Sequence, residues 1–479
     1  MEYVDRSHSQ RAASADIDRG EHSLRRGPEV LAPAGDLRGL EAAVDFGADA
    51  VYCGGKAFGM RSAPRNLSLQ DFEEGARYAH RHGARVYVTC NILPHNDEVE
   101  DLRTYIGSLR DTGVDALIVT DIGVLMQARR IAPNLEIHVS TQAGVTNYLA
   151  ANALYELGAR RVVLARELDL QAVRDIRANI PQDMDIECFV HGSMCMAFSG
   201  RCLISNYLTG RDANHGECAQ PCRWRYSVVE QKRPGQYFPV EQNGEGTFLF
   251  NSQDMNMLAH VDDLIDAGAS SLKIEGRAKS AYYTSAMANA YSCAVNEYMV
   301  QRGFRDRSGR TLRAFTDHVR RTPHGSAPLL GADTIRTDMP ASHVRLADWL
   351  LEEPYKVAHR DYSTGFYYPE RRVGENHDRG GYFRDWLIVG ETQRYDPVTH
   401  RLWLVGRNKI EPGQQVELLA PHRPPIVYTV PETGLENADG TAVKAINNPA
   451  HVFSMPFHES VPANTVIRAR AKHATLKAK

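Results

Sequence analysis

The 479-residue chain is too long for one typical domain, so we expect two or three. Hydrophobic residues make up 43% and charged residues 24%, a balance typical of soluble globular proteins. The formal net charge of −3 excludes nucleic-acid binding through bulk charge, so such binding needs a local basic patch. No apolar run could cross a bilayer, and the N-terminus lacks the apolar core of a signal peptide. We therefore expect a cytoplasmic protein without a membrane partner, with a disordered tail over residues 1–27.

Residues 28–300 alternate short β-branched runs with amphipathic helical runs. The β-branched runs predict eight strands, at 30–34, 50–53, 85–92, 116–121, 136–141, 161–166, 185–191 and 271–275. Several helical runs end on a glycine, the usual C-terminal stop: Gly47, Gly83, Gly113, Gly158 and Gly268. Eight strands in βα alternation favour an α/β fold with a closed, TIM-like (β/α)8 barrel, and an open doubly wound sheet is the alternative.

Polar residues recur where the predicted strands end, which is where barrel enzymes place their active sites. These residues are Thr89, Asn91, His95, Asp121, Ser140, Thr141, Gln142, Arg166, Glu167, His191, Glu275 and Arg277. Any one of them has an ordinary explanation, because strand ends meet water. As a set they predict a lined pocket.

A cysteine-rich insertion, residues 193–250, separates the seventh and eighth predicted strands. Cys195, Cys202, Cys218 and Cys222 have the spacing C-x6-C-x15-C-x3-C. Four thiolates can close a zinc site or hold an iron–sulfur cluster, and the absence of tight C-x2-C pairs favours the cluster. Cys188 alternates on a strand and is expected to be buried. A nucleophilic cysteine paired with a histidine is the competing use, although it does not need so many thiols.

The remainder of the chain predicts a second domain. Residues 302–324 hold seven arginines and two aspartates, and we interpret 301–348 as a basic insert or linker that either contacts RNA or is simply solvated. Residues 349–385 are an aromatic-rich connecting segment, expected to pack against the barrel. From residue 386 to 474, short alternating runs separated by turns predict a small antiparallel β-barrel domain.

The cysteine stretch also resembles a known family signature. Residues 187–195 read Glu-Cys-Phe-Val-His-Gly-Ser-Met-Cys and residues 200–205 read Gly-Arg-Cys-Leu-Ile-Ser. Both resemble the signature of peptidase family U32, the collagenase-like protease family. Further segments are similar to other family motifs: 33–35, 47–52, 91–96, 251–254, 271–277 and 362–367. The resemblance covers about residues 28–300 and 350–470, whereas the tail and the insert at 302–340 have no counterpart.

The resemblance implies an RNA hydroxylase that does not use dioxygen. Branches of the family hydroxylate the wobble uridine of tRNA or a cytidine of large-subunit ribosomal RNA, and a third acts in anaerobic ubiquinone synthesis. The cysteine spacing and the C-terminal domain are most similar to the tRNA uridine branch. The resemblance further implies a 4Fe–4S cluster held by Cys195, Cys202, Cys218 and Cys222, with prephenate as co-substrate and source of the hydroxyl group.

Strand-end position suggests roles for five residues in such an enzyme. We expect Arg166, Arg277 and His191 to bind the carboxylates of the hydroxyl donor, and Glu275 or Glu167 to act as a base.

Three residues of the insertion offer charge and a stacking surface for RNA: Arg223, Trp224 and Arg225. The alternative is that Trp224 packs the insertion while the arginines meet water. Other functions stay open as well, namely a peptidase, a ribosomal RNA cytidine hydroxylase, and a non-catalytic RNA-binding or iron-storage protein.

Overall fold

A computed structural model of the chain describes residues 28–60, 66–224, 252–304, 343–371 and 382–471, with a few isolated residues and pairs elsewhere. Nearly all of the predicted tail, most of the predicted basic insert, the second half of the cysteine-rich insertion and Arg225 lie outside the described residues. Within the described part, no helix is both long and apolar enough to span a membrane.

Eight parallel strands form the first domain. They are β1 (Glu29–Ala34), β2 (Ala50–Gly54), β3 (Arg85–Cys90), β4 (Ala116–Val119), β5 (Glu136–Val139), β6 (Arg161–Val163), β7 (Asp185–Ser193) and β8 (Ser271–Ile274). Each strand pairs with the next, and β8 closes the ring by pairing with both β7 and β1, with Leu272 opposite Val30. This closure confirms the (β/α)8 barrel and excludes the open doubly wound sheet.

Ten α-helices occur in the described residues. They are α1 (Leu37–Asp45), α2 (Leu69–Arg81), α3 (Val99–Leu109), α4 (Ile122–Ile131), α5 (Tyr148–Glu156), α6 (Leu170–Ala178), α7 (Ile204–Thr209), α8 (Val261–Asp266), α9 (Ala281–Gln301) and α10 (Asp348–Glu352). Side-chain caps begin many of them: Asp36 accepts from the Gly39 N–H at 2.8 Å, and Ser68 and Asp71 form a capping box. The five glycines predicted to end helices all have φ between +72° and +109°, the left-handed conformation that glycine adopts without strain.

A buried ionic network fills the N-terminal end of the barrel. Arg161 of β6 is fully buried and lies 2.5 Å from Glu29 of β1 and 3.0 Å from Glu187 of β7. Lys273 of β8 contacts the other oxygen of Glu187 at 2.6 Å. Arg161 also pairs with Asp185 at 3.2 Å, so two cations meet three carboxylates, and this pairing offsets the cost of removing the charges from water. The network forms a polar floor beneath the C-terminal mouth of the barrel.

The second domain is an antiparallel sheet with its own core, as predicted. Its strands are β9 (Trp386–Asp396), β10 (Arg401–Gly406), β11 (Gln415–Leu419), β12 (Ile426–Thr429), β13 (Glu436–Asn437), β14 (Val452–Pro456) and β15 (Val466–Arg470), in the order β12-β11-β15-β9-β10-β14-β13. Leu402, Leu418 and Phe453 are fully buried in a cluster separate from the barrel core. The sequence analysis missed the strands β13 and β14.

Buried charges also fix the second domain to the first. Arg468 of β15 is fully buried and donates to Glu353 and to Glu417, both at 2.7 Å. Lys356 contacts Glu417 as well, at 3.1 Å. Nearly every side of α9 is buried, including its polar residues Asn289 and Asn296. The connecting segment packs on the barrel, where the Tyr367 hydroxyl donates to the Phe189 carbonyl at 2.8 Å.

Candidate active site

The C-terminal mouth of the barrel holds a cavity of about 110 Å³. Strands β2 to β8 and the segments that follow them supply its walls. These side chains are Tyr52, Met60, Thr89, Asn91, Ile118, Ser140, Thr141, Gln142, Arg166, Phe189, Lys273, Glu275 and Arg277. The cysteine-rich insertion covers the opening, and we call its described part, residues 193–224, the lid.

All four clustered cysteines line this cavity. Cys195, Cys202, Cys218 and Cys222 are partly exposed, whereas the other four cysteines of the chain are buried. Burial raises the pKa of Cys222, and the nearby thiols of Cys195 and Cys218 raise that pKa further. The positive charge of Arg223 partly offsets the rise. Loops of the lid that are far apart in sequence therefore bring the thiols to one place.

Local hydrogen bonds hold the lid in shape. Asn214 brackets the backbone of Cys202, accepting from its N–H at 3.4 Å and donating to its carbonyl at 3.3 Å. The Gln220 N–H donates to the Cys218 sulfur at 3.4 Å. Ser199, which has a φ of +45°, is clamped by Glu167, which accepts from its N–H at 2.6 Å and its hydroxyl at 2.7 Å. The thiol positions thus rest on backbone contacts that do not depend on a bound group.

The spacing of the thiols bears on what they can bind. A tetrahedral zinc ion with Zn–S bonds of about 2.3 Å holds its sulfur ligands about 3.8 Å apart. No three of the described cysteine sulfur atoms lie within 4.8 Å of one another. A cluster of four irons binds each thiolate at a different corner, so its ligands stand farther apart. The described thiols therefore do not have the close spacing of the ligands of a single tetrahedral zinc ion.

Three cations converge on the cavity beneath the thiols. Arg166 donates to the Ser193 carbonyl at 2.9 Å, pairs with Glu275 at 3.3 Å and stacks 3.8 Å above the ring of Phe189. Arg277 is 4% exposed and donates to the Thr89 hydroxyl at 3.0 Å. Such a set of donors suits an anionic ligand, because guanidinium groups bind carboxylates in two-pronged geometry.

Lys273 is the third of these cations, and the sequence analysis missed it. Its ammonium group lies 4.5 Å from the centre of the Tyr52 ring and is buried among the strands. The signal was present, because Lys273 is a charged residue inside the apolar run Ser-Leu-Lys-Ile. A lysine in a fully buried strand needs a partner, here Glu187, or a function.

The structure does not bring all five predicted catalytic residues together. Arg166, Glu275 and Arg277 line the cavity, but Glu167 and His191 do not. Glu167 holds Ser199 of the lid instead. Three of the five residues therefore line the cavity, and two lie outside its lining. Their chemical roles stay predictions.

His191 lies in a cage of tyrosines behind the cavity. The hydroxyls of Tyr291 and Tyr362 lie 3.3 and 3.4 Å from its two ring nitrogens, and Tyr283 packs nearby. Burial lowers the pKa of His191 to about 3, so its ring is neutral near pH 7. Its carbonyl accepts from the Glu275 N–H at 2.8 Å, so His191 supports the strand end that carries Glu275.

The predicted RNA-binding residues fall beside the cavity. Arg223 donates to the Tyr382 hydroxyl at 2.9 Å, and Trp224 is 42% exposed on the lid. Arg225 lies outside the described residues. The structure thus leaves Trp224 accessible from solvent while Arg223 joins the lid to the connecting segment.

Two histidines meet where the lid touches the barrel. Ligand atoms of His95, Glu98 and His215 all lie within 4.8 Å of one another. Glu98 accepts from the His95 N–H at 2.7 Å and lies 2.9 Å from the ring of His215, so it fastens the lid to the loop after β3. Among the described residues, the ring of His215 contacts Glu98 and the ring of His191 contacts tyrosines, so these two histidines bond to groups other than the lid cysteines.

Both domains of the chain match models of a known protein family. The model of peptidase family U32 matches residues 35–325, and that of the family's C-terminal domain matches residues 384–468. A tRNA hydroxylation protein of Bacillus subtilis is 32% identical over 457 residues, which cover 94% of this chain and 97% of that protein. A tRNA hydroxylation protein of Helicobacter pylori is 43% identical over 56% of this chain and 65% of its own length. A 23S rRNA 5-hydroxycytidine synthase of Escherichia coli is 40% identical over 62% of this chain and 44% of its own length.

Proposed function

Because the chain belongs to peptidase family U32, and because of how its cavity is lined, we propose that it is an RNA-modifying hydroxylase. The observation that carries this proposal is a single cavity lined by four thiols and by Arg166, Lys273 and Arg277. Relatives named for tRNA or ribosomal RNA hydroxylation support the same class of reaction. A thiol-dependent peptidase has less support, since His191 and His215 bond to groups other than the lid cysteines.

The finer proposal is 5-hydroxylation of the tRNA wobble uridine, with prephenate rather than dioxygen as the source of the hydroxyl group. The relative that matches almost the whole chain carries a tRNA hydroxylation name, and this favours tRNA over ribosomal RNA. Cys195, Cys202, Cys218 and Cys222 would hold a 4Fe–4S cluster. When bound, the cluster supplies electron transfer or Lewis acidity beside the substrate.

The cations of the cavity bind the hydroxyl donor in this proposal. Prephenate carries two carboxylates, and the guanidinium groups of Arg166 and Arg277 offer two separate sites for them. Lys273 adds a third positive charge at the barrel end of the cavity. The low local dielectric strengthens each of these contacts relative to water. The donor is thereby oriented toward the thiol-lined side of the cavity.

Glu275 is our candidate base. It is the only carboxylate among the described residues that line the cavity, and 18% of its side chain is exposed. Replacing the hydrogen on C5 of uracil by a hydroxyl group releases a proton and takes two electrons from the base, which the hydroxyl donor accepts as its C–O bond breaks. A proton acceptor is therefore needed near that carbon. Arg166, 3.3 Å away, holds the Glu275 carboxylate in place at the cavity wall. Glu167 and His191 take positioning roles, through Ser199 and through the Glu275 backbone.

Nucleoside mass spectrometry of RNA from a deletion strain tests the proposal. We expect hydroxyuridine and its derivatives to disappear from tRNA, and to return with the full chain but not with a Glu275→Gln variant. Loss of hydroxycytidine from ribosomal RNA, with tRNA unchanged, would move the substrate to ribosomal RNA. Unchanged tRNA and ribosomal RNA would reject RNA hydroxylation and favour the peptidase.

A further inference from the structure

A second cavity lies beside the candidate active site, between the barrel mouth and the C-terminal domain. It encloses about 660 Å³ and shares Glu275 with the first cavity. The barrel and the lid supply one wall. The C-terminal domain and the connecting segment that precedes it supply the other. Residues central to the argument are Arg223, Lys279, Tyr382, Arg384, Trp386 and Arg407. We call this cavity the interdomain cleft.

The interdomain cleft carries an excess of positive charge. Four cations and two carboxylates line it. The carboxylates are already neutralised, since Glu275 pairs with Arg166 at 3.3 Å and Glu391 pairs with Arg407 at 2.9 Å. In the part of the chain that the structure describes, no ion pair occupies Arg223, Lys279 or Arg384. These three cations meet the requirement for a local basic patch on a chain whose net charge is −3.

Aromatic rings alternate with these cations. The ammonium group of Lys279 lies 4.0 Å from the centre of the Tyr382 ring, and Arg223 donates to the Tyr382 hydroxyl. Trp386 lines the same cleft, and the charges of Lys356 and Arg468 lie 5.1 and 5.4 Å from its ring. Grooves for single-stranded nucleic acid combine these two features: cations bind the phosphates and flat rings stack on the bases.

We propose that the interdomain cleft binds an unpaired segment of RNA and that the base to be modified passes Glu275 into the first cavity. This inference rests on the proposed function and adds the path of the substrate. Lys279 and Arg384 contact phosphates, and Trp386 stacks on a base that flanks the target. A base within a duplex cannot reach an enclosed cavity without leaving its stack, so a loop is the preferred substrate.

The test measures binding of a fluorescent, unmodified anticodon stem-loop RNA to the full chain, purified without oxygen. Lys279→Glu with Arg384→Glu reverses two charges in the cleft. The control reverses two exposed charges at α3 and its C-terminal end, Arg103→Glu with Arg110→Glu, so the net charge changes equally. Between about 50 and 200 mM salt, a plot of log affinity against log salt concentration has a negative slope. Losing two phosphate contacts makes that slope less steep by about 1.4. We expect that change for the cleft variant and an unchanged slope for the control.

A second variant separates stacking from charge. Trp386→Ala should weaken binding by about 5- to 100-fold, the range for one stacked base, without changing the salt slope. Trp403→Ala is the matched control, because Trp403 lies in the same domain but does not line the cleft. Binding of a fully paired RNA hairpin stem should be weaker than binding of the loop.

The remaining outcomes distinguish failure of this inference from failure of the proposed function. If the wild-type chain binds the loop and both cleft variants bind it equally well, RNA uses another surface while the proposed function stands. If the wild-type chain binds no RNA, both proposals fail. If the cleft variants lose affinity for a gelatin-derived peptide and keep their affinity for RNA, the cleft serves a protein. Loss of RNA binding in the cleft variants, together with unchanged nucleosides in the deletion strain, supports the cleft and rejects the hydroxylase.

Discussion

Replacing Gly54 by alanine offers a specific test of Arg277, because it moves that side chain without deleting it. A Cβ atom on Gly54 would lie 1.9 Å from Nη1 of Arg277 and 3.2 Å from the Thr89 hydroxyl. The clashing atom is the end of a flexible side chain, so the guanidinium group shifts while the strand keeps its shape. The shift breaks the 3.0 Å hydrogen bond to Thr89, worth about 1.5–3 kcal/mol for a charged donor. Alanine is favoured over glycine in a strand by about 0.5–1 kcal/mol, so the net destabilisation is about 0.5–2.5 kcal/mol.

The consequence for function is larger than that for stability. If Arg277 holds one carboxylate of the hydroxyl donor, losing that contact removes a similar 1.5–3 kcal/mol of donor binding, or about 10- to 100-fold. The assay is the KM for prephenate in tRNA hydroxylation without oxygen, with RNA affinity measured alongside. Gly55→Ala is the control, since its Cβ would lie equally close, 1.9 Å, to the Tyr105 hydroxyl and not to Arg277. An unchanged KM in Gly54→Ala, or an equal rise in Gly55→Ala, refutes the assignment of Arg277 to donor binding.

Three further predictions concern the thiols, the domain contact and pH. Cys218→Ser should lose iron and visible absorbance, whereas Cys188→Ser, which alters a buried thiol, should keep both. Finding about one zinc ion per wild-type chain would contradict this prediction. Arg468→Ala leaves the buried Glu353 with only the longer 3.7 Å contact to Lys356 and should cost about 3 kcal/mol in urea unfolding, against under about 0.5 kcal/mol for the exposed Arg394→Ala. The unfolded His191 side chain titrates near pH 6.5 but burial lowers its folded pKa to about 3, so stability falls as pH drops below about 6.5. From about pH 7 to 5 that loss is about 2 kcal/mol, and His191→Gln should abolish it; an equal pH dependence in both proteins would show that His191 is not buried as a neutral ring.

The periodic parts of the fold were predictable from local signals. Strands of β-branched residues, helices with side-chain caps and glycine stops all occur where the pattern placed them, with boundaries shifted by a few residues. For example, β6 ends at Val163 rather than at residue 166. The strands β13 and β14 were missed because β13 has only two residues and β14 lacks a clear alternation of apolar and polar residues. β14 pairs with β10, which lies far away in the chain, and β13 pairs with β14.

The side-chain arrangement of the candidate site was predictable only in part. Alternation along β7 places Glu187, Phe189 and His191 on one face of the strand. The register with β8 shifts after Phe189, so that Phe189 opposes Lys273 and His191 opposes Ile274. A bulge of this kind redirects the following side chain, and it accounts for His191 lying among tyrosines instead of in the cavity. Single-strand periodicity cannot reveal a bulge that arises from pairing with a distant strand.

Long-range ion pairs were equally invisible in the sequence. Arg161 meets Glu29 across 132 residues, and Arg468 meets Glu353 across 115 residues. Nothing in the local sequence of either arginine identifies its partner. The four clustered cysteines were found because their spacing is itself a chemical signal. Residues that a local pattern identifies were therefore easier to place than residues whose contacts form only when the barrel closes.

The most direct test of the central claim is anaerobic hydroxylation of an unmodified tRNA transcript by the purified chain. Digested tRNA is weighed by mass spectrometry after incubation with prephenate, and Cys218→Ser serves as the control protein. The proposed function predicts that the wobble uridine gains the mass of one oxygen atom with the wild-type chain and prephenate in the absence of dioxygen. No gain in mass under these conditions, or a gain that needs dioxygen and not prephenate, would contradict it.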